Sequence, residues 1–205
     1  MPSSLNLAGV FSDALCEHIT IIRRLETQQD IFERAAGLIS DALVRGNKVL
    51  WCGNGGSAAE SQHLAAELIG RFRRPRCGLA SIALTTDSSI LTAVANDFGY
   101  DEVFSRQVGA LCQPGDVVVG ISTSGNSKNV CGALRKARQL KGLTVAMTGR
   151  SGGRMASLAD VCMRVPSADP ARIQEAHILY GHILCEWIEL ATCIREAVAA
   201  GGDMR

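Results

Sequence analysis

Five short apolar runs, separated by segments with helical spacing, restrict what this chain can fold into. The runs occupy residues 49–52, 80–84, 117–121, 144–147 and 161–165, with helical patterns between them at 57–71, 87–95, 102–112 and 126–140. Most runs are continuously apolar rather than alternating, which is typical of parallel strands buried on both faces. The pattern predicts an α/β fold, a three-layer αβα sandwich with a central parallel sheet of about five strands.

Helices are predicted at both ends of this core. Residues 9–45 have the spacing of two helices with a break near 27–30, and a long final helix is predicted from 171 to about 199. The final helix is apolar around much of its circumference, which indicates burial against another subunit as well as against its own sheet. We expect one domain over 1–205, made of an N-terminal helical segment (1–46) and an αβα core (47–205).

Composition and charge narrow the class of partner. The formal net charge is +1, so nothing in it favours nucleic acid or an acidic membrane surface. The chain has neither an 18-residue apolar span nor a signal-peptide pattern at its N-terminus. Its eight cysteines form no C-x-x-C pair, which argues against zinc-ribbon and thioredoxin sites. We therefore expect reduced cysteines and a cytoplasmic location. The basic cluster 71–76 is interpreted as a solvated helix end, with a role near an anionic ligand or a subunit contact as the alternative.

The first candidate site is the glycine-rich stretch 52–57, Cys-Gly-Asn-Gly-Gly-Ser, between a predicted strand and a predicted helix. This arrangement presents backbone N–H groups to a phosphate, and glycines let the backbone approach a ligand closely. The spacing of Gly53, Gly55 and Ala58 also fits the loose dinucleotide fingerprint. A nicotinamide-dependent oxidoreductase is therefore an alternative, although it leaves the next loop unexplained.

A second candidate loop follows the run 117–121. It carries four hydroxyl side chains, those of Ser122, Thr123, Ser124 and Ser127, at a strand-to-helix turn. Hydroxyls and helix N-terminal N–H groups together can bind a phosphate dianion without Lys or Arg. The alternative is an ordinary helix cap by Ser127 or Asn126.

Polar residues on two helices provide candidates for proton transfer or metal binding. His63 and Glu67 lie four residues apart and therefore share a helix face. The final helix adds Gln174 and His182, whereas His18 has no such neighbours and is interpreted as an ordinary histidine.

With these residues in hand, nearly the whole chain closely resembles the phosphoheptose isomerases (sedoheptulose-7-phosphate isomerases) of the SIS sugar-isomerase fold. Five strings carry the resemblance: Cys-Gly-Asn-Gly-Gly-Ser (52–57), Ala-Asn-Asp-Phe-Gly-Tyr (95–100), Gly-Ile-Ser-Thr-Ser-Gly-Asn-Ser (120–127), Thr-Gly-Arg-Ser-Gly-Gly (148–153) and Arg-Ile-Gln-Glu-Ala-His (172–177).

The resemblance implies an aldose–ketose isomerase of heptose biosynthesis that converts sedoheptulose 7-phosphate to D-glycero-D-manno-heptose 7-phosphate through an enediol. It implies a homotetramer, Glu67 as base, His182 as acid, and one zinc ion per subunit, whose ligands would be His63, Glu67, Gln174 and His182. The implied substrate contacts are Asn54, Gly55, Gly56, Ser57, Glu67, Asn96, Asp97, Ser122, Thr123, Ser124, Ser127 and Gln174. The alternative is a non-catalytic sugar-phosphate sensor or replication-initiator-binding protein on the same fold.

Helix geometry bears on how such a site could be assembled. Gln174 and His182 are eight residues apart, so on one straight helix their Cα atoms lie ~12 Å apart and are rotated by ~80°. Zinc–ligand bonds are only ~2 Å long, so one helix would struggle to supply both. Either Gln174 precedes the helix, or the helix bends, or different subunits supply the two. We expect an oligomer with active sites at subunit interfaces, in which Glu67 and His182 come from different chains.

Overall fold

The computed structural model describes residues 7–199, without the side chains of 195–199. Within this range, seven α-helices and five β-strands follow one another along the chain, together with short 3-10 turns. In chain order they are α1 (Leu7–Leu25), α2 (Gln29–Val44), β1 (Val49–Gly53), α3 (Gly56–Ile69), β2 (Ser81–Ala83), α4 (Ser88–Phe98), α5 (Val103–Leu111), β3 (Val117–Ser122), α6 (Lys128–Gln139), β4 (Leu143–Thr148), β5 (Val161–Arg164) and α7 (Pro170–Ala199).

The five strands form one sheet in the order β2-β1-β3-β4-β5, and every neighbouring pair is parallel. The predicted parallel sheet is therefore confirmed. The central strands β1 and β3 are buried along their whole length, as the continuous apolar runs predict. The edge strands differ, because each has a neighbour on only one side: β2 is three residues long with Ile82 exposed, and Arg164 of β5 is exposed.

Alternate residues of the inner strands β1, β3 and β4 enter two separate cores, which makes the three layers. Val49 and Trp51 of β1 pack in one core with side chains of α2, α3 and α7. Leu50 and Cys52 pack in the other core with side chains of α5 and α6. The three-layer αβα sandwich is therefore confirmed, and the break predicted near 27–30 is a 3-10 turn at Glu26–Gln28 between α1 and α2.

The strand order places the two candidate loops side by side. The chain passes from β1 to the β2 edge and then returns to β3 on the opposite side of β1, so the winding direction reverses there. Gly53 pairs with Ile121 at the ends of β1 and β3, and the loops after both strands leave from the same carboxyl edge of the sheet. Such a switch point is where open parallel sheets bind ligands.

Candidate active site

The loop after β1 is joined to the start of α6 by two side-chain amides. Asn54 Nδ2 donates to Asn129 Oδ1 and Asn129 Nδ2 donates to Asn54 Oδ1, both at 2.9 Å. The Tyr100 hydroxyl donates to Asn54 Oδ1 at 3.0 Å, which adds the segment after α4 to the same contact. Three parts of the chain are thereby fixed around the first glycine-rich loop.

Gly56, at the start of α3, lies directly against Gln174 of α7. A Cβ atom at position 56 would come within 2.4 Å of Gln174 Nε2, so a larger residue there would displace the Gln174 amide. The amide of Gln174 is thereby placed beside the first turn of α3, where helix N–H groups are available to a ligand. Because α7 begins at Pro170, the alternative that Gln174 precedes the final helix is wrong.

The hydroxyls of the second loop contact one another. Ser122 Oγ lies 2.9 Å from Ser127 Oγ and 3.4 Å from Ser124 Oγ. Ser127 occupies the N-cap position of α6, but its side chain makes no capping hydrogen bond. The hydroxyl cluster is therefore not explained by an ordinary helix cap, and it lies at the helix N-terminus, where an anion is favoured.

Contacts with the 149–154 segment hold this second loop in shape. Gly125 has φ +66, and a Cβ atom there would lie 2.2 Å from the carbonyl oxygen of Gly152. Asn126 Oδ1 accepts a hydrogen bond from Arg154 N at 3.0 Å. The loop is thus rigidly placed before a ligand binds, which reduces the ordering cost of binding.

Three polar side chains converge where α3 and α7 meet. His63 Nε2 lies 2.8 Å from His182 Nε2 and 3.4 Å from Glu67 Oε1, and one ligand atom from each of the three falls within 4.8 Å of the others. Two imidazole nitrogens and a carboxylate oxygen are a donor set that zinc uses in catalytic sites. Zinc bonds of ~2 Å would separate tetrahedral ligand atoms by ~3.3 Å, so these residues fit the metal.

One expectation about this cluster is wrong. Glu67 and His182 converge within one chain, whereas different chains were expected to supply them. Gln174 lies against Gly56, which is seven residues before His63 on α3, or ~10 Å along the helix axis. That Gln174 is the fourth zinc ligand stays a prediction.

Buried thiols near the site are not reactive groups. Burial, and secondarily Cys131, raises the pKa of Cys52 at the end of β1 to about 12. Burial, and secondarily the charge of Glu67, raises the pKa of Cys185 on α7 to about 12. Both thiols stay protonated near neutral pH, so neither acts as a nucleophile there.

The remaining expected substrate contacts differ in their exposure. Asn96 and Asp97 are exposed on α4, and Asn96 Nδ2 donates to Asp97 Oδ1 at 2.8 Å. Ser57 is buried in the first turn of α3, and the Thr123 carbonyl accepts from Gly149 N at 3.0 Å. The hydrogen bond from Tyr100 to Asn54 connects the segment after α4 to the first loop.

Sequence reasoning missed the partners of several charged residues. Within the basic stretch 71–76, the interpretation as a solvated helix end is wrong for Arg76, whose side chain is 2% exposed and pairs with Glu189. Glu189, an acidic residue within an apolar stretch of α7, was the available signal. His18 is also partnered, since its Nδ1 lies 2.8 Å from Glu175 Oε2.

Comparison with known proteins agrees with this arrangement. Residues 16–149 match the SIS domain family. The phosphoheptose isomerase of Aliarcobacter butzleri is 52% identical over 182 residues, which cover 89% of this chain and 96% of that protein. The phosphoheptose isomerase of Aquifex aeolicus is 58% identical over 160 residues, covering 78% and 84%. The solved phosphoheptose isomerase of Neisseria gonorrhoeae superimposes with a TM-score of 0.86 at 44% identity, covering 90% of this chain and 100% of that one. The chain therefore belongs to the SIS domain family and, within it, to the phosphoheptose isomerases.

Proposed function

We propose that this protein is an aldose–ketose isomerase of heptose biosynthesis that converts sedoheptulose 7-phosphate to D-glycero-D-manno-heptose 7-phosphate. The observation that carries the proposal is the convergence of Glu67 and His182 in one cluster, in a chain 52% identical to a phosphoheptose isomerase over most of its length. A carboxylate and an imidazole are the base and the acid that such a reaction needs.

The substrate is held at two places in this proposal. The hydroxyls of Ser122, Thr123, Ser124 and Ser127 bind the phosphate at the N-terminus of α6. Asn54, the backbone of Gly55 to Ser57, Gln174, Asn96 and Asp97 contact the sugar. Binding the phosphate far from the reacting carbons places C1 and C2 for proton transfer and lowers the entropic part of the barrier.

Proton transfer is assigned to Glu67 and His182. Glu67 removes a proton from C1 of the ketose and returns it to C2, which passes through an enediol. His182 protonates the C2 oxygen as the double bond moves, and then accepts the proton of the C1 hydroxyl as the aldehyde forms. Every proton removed is returned, so the reaction consumes no co-substrate.

Zinc is proposed as the cofactor, one ion per subunit, held by His63, Glu67 and His182. When bound, zinc polarises a carbonyl oxygen and stabilises the negative charge that develops on it. A carboxylate that ligates a metal is less free to act as a base, so the metal and proton-transfer roles of Glu67 compete. Gln174 is the fourth proposed ligand. Because it lies eight residues before His182 on α7, ~12 Å along the helix axis, we propose that a second chain supplies it.

A homotetramer with interfacial active sites is proposed as the assembly. Leu7 and Phe11 of α1 and Trp187 of α7 are large apolar side chains left exposed in the single chain. Exposed apolar surface of this kind is typical of protein–protein contacts. An apolar groove between α1, α2 and α7 is lined by Ile183 and by Phe32, whose ring contacts that of Trp187. A second copy of the chain would cover these residues and bring its own Gln174 toward the cluster.

A cytoplasmic location is proposed from the cysteines. All eight are free, including the exposed Cys16 and Cys77, as in proteins of reducing compartments. Within residues 7–199, no helix combines the length and the apolar content that crossing a bilayer requires.

The experiment that tests the function is direct. Purified protein is incubated with sedoheptulose 7-phosphate, and formation of the aldose is followed by a reducing-end assay and by NMR. We expect turnover that the Glu67→Gln variant loses. Binding of the sugar phosphate without any turnover, in zinc-loaded protein, would instead identify a sugar-phosphate sensor.

A further inference from the structure

A buried carboxylate on α7 holds the backbone that follows α3. Glu189 accepts hydrogen bonds from the N–H groups of Phe72, Arg73 and Arg74 at 3.0, 2.9 and 2.9 Å, and from Arg76 Nε at 3.1 Å. Its side chain is 1% exposed. Burial opposes ionisation, but the three N–H groups and the guanidinium outweigh it and hold the pKa of the Glu189 carboxyl below its ordinary value. The carboxylate is therefore charged and fully bonded inside the protein.

The partner of this carboxylate also fixes the end of α3. Arg76 Nη2 donates to the carbonyl oxygen of Glu67 at 2.9 Å, and Arg76 Nη1 donates to those of Leu68 and Cys77 at 2.8 and 2.9 Å. The last carbonyl groups of a helix have no partner within the helix, and the guanidinium supplies one. One of these bonds reaches the backbone of the proposed base itself.

The same carboxylate binds the backbone of a residue whose ring packs on the proposed acid. Phe72, whose N–H donates to Glu189, stacks on the His182 imidazole with ring centroids 5.5 Å apart and an interplanar angle of 24°. The His63 ring contacts His182 with centroids 5.0 Å apart. The imidazole of His182 is thus held between two rings, one of which is placed by Glu189.

We propose that Arg76 and Glu189 are positioning residues of the isomerase site, which set the distance and orientation between Glu67 and His182. The proposal rests on the proposed function above. On one side, Arg76 donates to the backbone of Glu67. On the other, Glu189 bonds the backbone of Phe72, whose ring stacks on His182. Glu189 itself lies two turns after His182 on α7. A buried ion pair is weak evidence for stability. Its hydrogen bonds have fixed directions, however, and can hold neighbouring groups in a defined orientation. Positioning of this kind acts on the chemical step more than on substrate binding.

Three variants test the proposal. Arg76→Lys keeps the charge but loses the planar set of donors, Phe72→Leu removes the stacked ring while leaving the ion pair, and the double variant Arg76→Met, Glu189→Leu removes both charges so that neither is left buried alone. We expect kcat to fall at least tenfold in Arg76→Lys and in the double variant, and at least threefold in Phe72→Leu. KM should change less than threefold in all three.

A second ion pair, with a buried carboxylate and a partly exposed lysine, supplies the control. Asp116, which is 1% exposed, accepts from Lys48 Nζ at 2.6 Å just before β3, at the opposite edge of the sheet from the candidate loops. Asp116→Asn should lower the melting temperature while kcat, measured where all variants are folded, stays within twofold of wild type. An equal fall of kcat in Asp116→Asn would mean that loss of stability explains the effect, and would overturn the proposal.

A measurement without substrate separates this proposal from the function. The imidazole ¹⁵N signals of His182, assigned by their absence in His182→Ala, are recorded for wild type, Arg76→Lys and Asp116→Asn. We expect them to move or broaden in Arg76→Lys only. If wild type does not isomerise the sugar phosphate but these signals respond, the function is wrong and the positioning role stands. Unchanged signals, or wild-type kcat in the folded double variant, would overturn the positioning role.

Discussion

Asn54 and Asn129 each donate a side-chain hydrogen bond to the other, and so connect the loop after β1 to the first turn of α6. The two residues are 75 positions apart in the chain. Asn129 Oδ1 also accepts from the N–H of Val130 at 2.9 Å. The pair therefore sets the spacing between the loop proposed to bind the sugar and the helix proposed to bind the phosphate.

Replacing Asn129 should weaken substrate binding. In Asn129→Ala, the Asn54 amide loses both of its hydrogen bonds to residue 129. A hydrogen bond typically contributes a net free energy of about 0.5–1.5 kcal/mol. We expect KM for sedoheptulose 7-phosphate to rise about tenfold, with a smaller change in kcat. Tyr100→Phe is the graded control, since it removes one donor to Asn54 and leaves the amide pair intact. A KM for Asn129→Ala equal to that of Tyr100→Phe would contradict the role of the pair.

The carboxylate of Glu67 should be required for turnover. Glu67→Gln keeps the shape of the side chain but removes the base, and loss of a general base costs about 10²–10⁴-fold in rate. The melting temperature should change little because the side chain is partly exposed. Glu33→Gln, on α2, is the control and should retain wild-type kcat. Near wild-type kcat in Glu67→Gln would exclude Glu67 as the base.

Phosphate recognition should depend on the hydroxyl cluster. Replacing Ser122 and Ser124 together by Ala removes charge-assisted hydrogen bonds of about 1.5–3 kcal/mol each, so we expect KM to rise by at least tenfold. Protection against thermal unfolding by inorganic phosphate should be lost as well. Ser157→Ala removes a hydroxyl from the neighbouring turn that donates to the Arg154 carbonyl, and should change neither quantity. Undiminished phosphate protection in the double variant would remove this loop from the site.

The backbone architecture could be predicted from local patterns in the sequence. Each strand lies within two residues of its predicted limits, because continuous apolar runs and turn residues report burial at the place where they occur. The positions of His63 and Glu67 on one helix face follow equally from spacing alone. Their convergence with His182 does not, since it depends on how α7 crosses α3.

Contacts between distant side chains were not available from these patterns. Arg76 lies in a run of like charges that is typical of a solvated surface. Its partner Glu189 is 113 residues away in the chain, so the local pattern does not reveal the pairing. His18 reads as isolated for the same reason, although Glu175 lies beside it in the structure. Burial of a charged residue depends on its partner, and pairing over such separations is not encoded in spacing.

Zinc binding should be visible without any assay of activity. A ligand present at 100 times its Kd stabilises by about 2.7 kcal/mol, which for a chain of this size corresponds to about 5–10 °C in melting temperature. We expect this shift on adding zinc to metal-free wild type and its loss in His63→Ala. His18→Ala, a histidine change on α1 away from the cluster, should keep the full shift. The same shift in His63→Ala as in wild type would contradict the assigned site.

Subunit mixing should reveal whether Gln174 acts across an interface. Gln174→Ala and His182→Ala should each be inactive alone. If Gln174 completes the cluster of a neighbouring chain, a mixed pair contains one complete site, formed by His63, Glu67 and His182 of one chain with Gln174 of the other. Paired interfaces in homo-oligomers are usually reciprocal, so the other site of a mixed pair lacks both residues. Random exchange makes about half of the pairs mixed, and about one quarter of all sites should therefore be restored.

A second mixture serves as the control for this exchange experiment. Glu67→Gln mixed with His182→Ala should recover no activity, since one chain supplies both residues. Exchange is verified by mass spectrometry of differently tagged chains. Recovery in the Gln174 mixture alone would establish the shared site. Recovery in the Glu67 mixture, or in neither mixture despite complete exchange, would contradict it, and a monomer by light scattering would exclude it.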